Sequence, residues 1–416
     1  MLGLNSNYYT GDFLMIKNLK PIPFALTVLL GLGLSSHLVA QAEDKLKIGF
    51  ITDMSGLYAD VEGKNGALAI QMAIDDFGGK VLGMPIELLT ADHQNKPDIT
   101  SAKVREWIDT DAVTLVMSGT NSATALAASA VALEKKRVHI NSGAGSSVLT
   151  NAQCSPYTVH YAYDTVSQAK GTASAVVDGG GKSWYFLTAD YAFGQALETD
   201  TTAVVKAKGG TVLGSVRHPL NASDFSSFLL QAQSSKAQVL GMANASTDTM
   251  NAVKAAQEFG INKTMKIAGL LVYITDIHAL GLKSTQGMLM TVSWYWDLND
   301  ETRKFAARFF EKTKKMPTAI QAADYSSTMN YLKAVQAAKT TDADKVMTTW
   351  KGMKMKDMYA SGQIRADGSY IHDMYLVQVK TPAESMKPWD YFKIVKKMPG
   401  EEVYTTKAET KCALWK

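Results

Sequence analysis

The chain has 416 residues, enough for two domains of ordinary size with a sizeable core in each. Its formal net charge of +4 is small for that length, and no basic stripe interleaved with aromatics runs through it, which argues against nucleic acid as a partner. No G-x-S-x-G, H-E-x-x-H, Walker loop or post-strand G-x-G-x-x-G occurs, so four large enzyme classes lose their signatures.

The first 42 residues read as an export signal: Lys17 and Lys20 precede an apolar run, Phe24 to Leu34, and Ala40-Gln41-Ala42 supplies small residues before Glu43 and Asp44. The run is too short to span a bilayer, cleavage is expected after Ala42, and the mature chain is expected in the periplasm. Met1 and Met15 both stand as candidate starts. No cysteine follows the cleavage point to carry a lipid anchor. The two cysteines, Cys154 and Cys412, are expected to pair in an oxidising compartment, two buried thiols being the alternative.

From Leu46 the chain alternates strand and helix. Leu46–Asp53 is a first strand, Met54–Asn65 a loop carrying Ser55, Gly56 and Tyr58, and Gly66–Phe77 a helix stopped by Gly78-Gly79. Ile86–Ala91 is a second strand, followed by a polar turn and by Pro97 in the first turn of the next helix. Val113–Met117 runs into Ser118-Gly119-Thr120-Asn121-Ser122 and a helix from Ala123 to Lys135. Val138–Ile140 empties into Ser142, Gly143, Ala144, Gly145, Ser146 and Ser147. These two mouths at successive strand ends offer a ligand little bulk and many backbone hydrogen bonds. A helix N-terminus beside them favours a carboxylate. Ordinary turn chemistry is the competing reading of the same residues.

After an extended stretch, Tyr157–Asp164, the grammar restarts: helix Val166–Val177, strand Ser183–Thr188, helix Gly194–Lys208, strand Thr211–Val216, helix Phe225–Gln233, strand Val239–Ala243, helix Thr247–Phe259, and strands Lys266–Leu271 and Gly287–Val292. Helices Asn299–Lys312, Ala319–Lys339 and Ala343–Met353 follow, then a hairpin turn at Arg365–Gly368 and late strands Met374–Lys380 and Tyr391–Val395. Two α/β units in tandem give a two-lobed, doubly wound architecture. The histidines at 93, 139, 160, 218, 278 and 372 are scattered without the spacing of a metal pair, so neither metal nor cofactor is expected.

Thr52-Asp53-Met54-Ser55-Gly56, the pair Gly119–Ser122 and Asn141–Thr150, and Leu187-Thr188-Ala189-Asp190-Tyr191-Ala192-Phe193-Gly194, in that order in an exported chain, resemble the class I periplasmic binding proteins of ABC importers. The nearest branch is the leucine/isoleucine/valine-binding type, and the resemblance covers Leu46 to about Lys396. It implies two Rossmann-like lobes joined by three crossovers: residues 45–163 plus 294–365, residues 164–293 plus 366–396, and a tail from 397 to 416. It further implies a monomer that gives a small solute to an inner-membrane permease without chemistry. The carboxylate anchors fall on Ser122 and Gly143–Gly145, with Asn121 and Ser142 of the same mouths counted as ligand contacts on their loop chemistry, and the ammonium partner on Asp164. The second-lobe contacts fall on Tyr191 or Phe193 and Asn244, with Trp294 the choice within Trp294-Tyr295-Trp296. Where amino-acid binders place a second-lobe glutamate, this chain has Leu271-Val272-Tyr273. The aromatics Tyr58, Tyr191, Phe193, Tyr273 and Trp294 suit a flat apolar body, so aromatic carboxylates stand beside branched-chain amino acids as expected ligands. A sensory role and an exported hydrolase are the other readings.

Overall fold

The fold is that of a computed structural model, which describes residues 44–416; the export signal and both candidate starts lie outside the described residues. Strand β1 (Leu46–Thr52) is apolar almost throughout, and all of it but Lys47 is buried, as a strand covered on both faces of a parallel sheet must be. It pairs in parallel with β3 (Met84–Asp92) on one side and β4 (Leu115–Ser118) on the other. Beyond β4 lie β5 (Val138–Asn141) and β6 (Thr158–His160). β2 (Lys80–Val81), which the sequence pattern does not predict, folds back on β3 through Leu82-Gly83, both at positive φ as a two-residue hairpin turn requires. The crossover helices are α1 (Gly63–Phe77), α2 (Pro97–Asp109) and α3 (Ser122–Glu134).

The chain then crosses to a second body. Helices α4 (Thr165–Gln168) and α5 (Ser174–Asp178) run on through a π-type turn at Ala169–Ala173. Gly171 sits in that turn because a Cβ there would strike Thr291, and Thr172 Oγ1 lies 2.9 Å from Thr291 Oγ1. There follow β7 (Ser183–Ala189), α6 (Ala192–Ala207), β8 (Thr211–His218), α7 (Ser226–Ser234), β9 (Val239–Ala243), α8 (Thr247–Glu258) and β10 (Lys266–Gly269), a parallel sheet in the order β10-β9-β7-β8. Helices α9 (Ile274–Leu280) and α10 (Leu282–Thr285) occupy a stretch in which no helix is predicted, and lead to β11 (Leu289–Val292).

A second crossing returns the chain to the first body through α11 (Asp300–Thr313), α12 (Ala319–Ala338), α13 (Ala343–Gly352) and a small antiparallel sheet of β12 (Met355–Lys356), β13 (Ser361–Ile364) and β14 (Tyr370–His372). α12 lies along α1, and His160 at the end of β6 bridges to Ser369. A third crossing after His372 carries β15 (Met374–Val379) and β16 (Phe392–Met398) onto β11 as an antiparallel sheet. The architecture is therefore α/β, with two Rossmann-like lobes joined by three crossovers. Helix α14 (Gly400–Val403) leads into the tail, where Cys412 is bonded to Cys154. No helix among the described residues is long and apolar enough to cross a membrane.

Candidate ligand-binding site

The carboxyl ends of β1, β4 and β5 meet, which is where an open parallel sheet leaves its crevice. After β4, Asn121 adopts φ +82° and turns its side chain back as the N-cap of α3: Oδ1 accepts from Ala123 N at 2.9 Å and Thr124 N at 3.3 Å. After β5, Asn141 folds its amide over the loop, donating to Ala144 O at 2.7 Å and accepting from Ala144 N at 3.2 Å. Ser122 Oγ accepts from Ser146 N at 3.1 Å, locking the two loops together. The N–H groups of Ser122, Gly143 and Gly145 find no partner among the described residues and stand at the mouth of α3.

The second lobe supplies the opposite wall. Tyr191 and Phe193 stand at the start of α6, Ala245 follows β9, and Leu271 and Tyr273 follow β10. Together with Tyr58, Thr120, Asn121, Ser122 and Gly143–Gly145 they line a narrow chamber between the lobes. The hydroxyls of Tyr58 and Tyr191 touch across it. Tyr163, in the first crossover, donates to Gly143 O at 2.8 Å, so the Tyr273 hydroxyl, 2.7 Å away, donates to Tyr163. Burial pushes all four phenols up, so each stays a neutral hydroxyl.

Nine of the residues singled out in the sequence line this chamber: Tyr58, Asn121, Ser122, Gly143, Ala144, Gly145, Tyr191, Phe193 and Tyr273. Four do not. Ser142 lies one layer behind, its Oγ donating to Glu62 Oε1 at 3.2 Å. Asp164, expected to meet an ammonium, is instead the N-cap of α4. Its Oδ1 accepts from Ser167 N at 2.7 Å, its Oδ2 is buried without a partner, and burial raises its carboxyl to about 6. Asn244 is taken up by His218 Nε2 at 3.0 Å and by the Thr249 hydroxyl at 2.7 Å. Trp294 donates to Met358 O at 3.1 Å and lines a second small hollow on the far side of Leu271 and Tyr273, which border both.

Thr120, Ala245 and Leu271 belong to the wall without having been singled out, and each sits beside a residue that was. Glu62 is the larger omission. It lies fully buried at the N-terminus of α1, where its carboxylate accepts from Thr52 Oγ1 at 2.5 Å, Thr120 N at 2.7 Å and Ser142 Oγ, tying together the ends of β1, β4 and β5. Gly119 and Gly143 leave the space it fills: a Cβ on Gly119 would overlap Glu62 Oε2, and one on Gly143 would lie 3.0 Å from Oε1. Nothing local distinguishes this glutamate from a solvated loop acid.

A larger groove, of about 880 Å³, runs between α5, α6 and the tail and shares no residue with the strand ends. Among the described residues no group of His, Cys, Asp or Glu is arranged to hold a metal ion. The chamber is thus a place to hold a small molecule, with donors on one side and aromatic surface on the other.

Residues 45–385 match the family described as periplasmic binding protein. The chain belongs to that family. The structure of a periplasmic binding protein from Burkholderia mallei is 66% identical, covers 90% of this chain and all of its own, and superposes with a TM-score of 0.89. That of a branched chain amino acid ABC transporter periplasmic ligand-binding protein from Burkholderia xenovorans LB400 is 37% identical over 89% of this chain and all of its own, with a TM-score of 0.79. A Leu/Ile/Val-binding protein homolog 6 of Brucella suis is 27% identical over 289 residues, 68% of this chain and 72% of its own. As a periplasmic binding protein of the ABC-transporter type, the chain takes a small-molecule ligand and works with a permease. The family is one of solute receptors rather than enzymes.

Proposed function

We propose that this binding protein captures a small organic acid with a flat, apolar body, of the benzoate class, and delivers it as a monomer to an inner-membrane ABC permease. One observation carries the reading. The chamber wall contains no aspartate or glutamate, whereas three unpaired backbone N–H groups face it from the end of α3 and the β5 loop. An α-amino acid brings an ammonium that must leave water, and an unpaired buried ion costs several kcal/mol. Here it has no partner. Asp164 is turned into its helix cap, and Asp248, behind the Tyr58–Tyr191 pair, is engaged by the N–H groups of Asn221 and Ala222 at 3.1 Å each.

A carboxylate would lie on the donors at the α3 mouth, with its ring between Phe193, Tyr191 and Leu271. Its entry parts the Tyr58 and Tyr191 hydroxyls, which join the two walls, so binding and lobe closure are linked through differential affinity for the two forms. The rival ligand, a branched-chain amino acid, is favoured by the names of the Burkholderia xenovorans and Brucella suis relatives. A thermal-shift screen separates the two: a ligand at roughly 100 times its dissociation constant adds about 2.7 kcal/mol of stability. Benzoate and its hydroxylated derivatives are expected to raise the melting temperature, and leucine, isoleucine and valine to leave it unchanged. A shift with leucine and none with the aromatic acids overturns the reading.

A further inference from the structure

Behind the donor loops lies a second carboxyl group that the proposed ligand chemistry leaves unexplained. Asp324, on the inward face of α12, is fully buried and pressed with Glu62 against Gly66 of α1. A Cβ there would fall 2.7 Å from Asp324 Oδ2 and 2.8 Å from Glu62 Cγ. The Ser142 hydroxyl reaches both acids, but its single proton goes to Glu62 Oε1, and both oxygens of Asp324 are left without a hydrogen-bond partner. Glu62, by contrast, accepts three hydrogen bonds. No lysine or arginine pairs with either acid among the described residues. Burial pushes both carboxyls up, with Asp53 adding to the rise of Glu62 and Glu62 to that of Asp324, and the absence of donors around Asp324 puts the shared proton there.

The other groups facing Glu62 do not supply a counter-charge. Asp53, from the end of β1, is acidic and already accepts the N–H groups of Gly56 and Tyr58. His93, after β3, has Nε2 2.8 Å from Thr120 O and is held neutral by burial. Gln321 of α12 donates to the Glu62 backbone carbonyl at 3.3 Å. Tyr163 is a neutral phenol. Glu62 therefore places a buried negative charge one peptide layer behind Thr120 and Gly143, the wall on which an anionic ligand would lie.

We propose that Glu62 is a positioning residue that couples ligand to proton: a carboxylate entering the chamber is accompanied by uptake of a proton onto the Glu62–Asp324 pair. The inference rests on the organic-acid reading above. No bond is made or broken beyond that proton transfer from solvent, after which the pair is neutral and the ligand carries the only negative charge at the α3 mouth. By linkage, affinity for the acid falls as pH rises, approaching about tenfold per pH unit once the pair is ionised in the free protein.

The test is titration calorimetry of the mature protein with 4-hydroxybenzoate at about pH 8, above the value of about 7 to which burial pushes Glu62, in two buffers of different ionisation enthalpy, with L-leucine as a parallel ligand. The expected result is uptake of about one proton per 4-hydroxybenzoate bound, absent in Glu62→Gln. Asp324→Asn, whose side chain makes no hydrogen bond to lose, stands in for the already protonated acid, keeps the loops braced and is expected to retain the uptake; its loss in this variant places the proton on Asp324 and overturns the assignment to Glu62. Binding of 4-hydroxybenzoate without proton uptake overturns the coupling and leaves the organic-acid reading standing. Binding of leucine alone overturns that reading and the coupling with it.

Discussion

The two walls of the chamber are built from different chemistry. The first-lobe wall is backbone: small residues at the ends of β4 and β5, their N–H groups fixed by Asn121, Asn141 and a buried glutamate. The second-lobe wall is side chain: Tyr191, Phe193, Leu271 and Tyr273, with nothing charged among them. A charged end is best met by a rigid array of dipoles that needs no reorganisation, and an apolar body by surface of adaptable shape. The first wall should therefore decide whether a carboxylate binds, and the second which one.

Four substitutions break or sharpen that contrast. Gly119→Ala should do the most damage, because its methyl group collides with Glu62 and Thr52 in a packed layer. We expect about 3 kcal/mol or more of lost stability in urea denaturation, with loss of binding for every carboxylate alike. Phe193→Ala removes a nearly fully buried ring from the other wall. It should weaken aromatic acids by roughly tenfold to a hundredfold in calorimetry while sparing short aliphatic acids, thereby changing selectivity rather than abolishing binding.

Asp164→Asn lies outside both walls. The Asp164 carboxyl is raised to about 6 by burial, so its contribution to stability is present below its ordinary value and lost as pH rises through 6. Asparagine keeps the cap and removes the buried charge. The variant should gain about 1 to 2 kcal/mol over wild type above that pH and nothing at about pH 4, with ligand affinity unmoved. A loss of affinity would return Asp164 to the site. Tyr58→Phe removes the hydroxyl that meets Tyr191 and leaves both rings in place. It should shift the lobes toward the open form by about 1 kcal/mol, read as a small increase in radius of gyration by X-ray scattering.

Much of this was written in local chemistry. The alternation of strand and helix, the small-residue mouths at Ser118–Ser122 and Ser142–Ser147, and the aromatics at 58, 191, 193 and 273 follow from side-chain type and period, which act over a few residues. The pairing of Cys154 with Cys412 followed from their number and the compartment. Other features depend on what packs against what. Asp164 and Trp294 have the composition of ligand contacts, but helix capping and a backbone carbonyl at Met358 claim them first. Glu62 reads as a solvated loop acid because the residues that bury it, Ser142 and Asp324, lie far along the chain. The sequence by itself determined most of the elements, the tandem lobes and the mouths, since propensity, period and turn chemistry are local, while β2, α9 and α10 escaped it. Only the tertiary structure decided which acids are buried and which hydroxyls meet across the chamber, because desolvation and contact are properties of the packed whole.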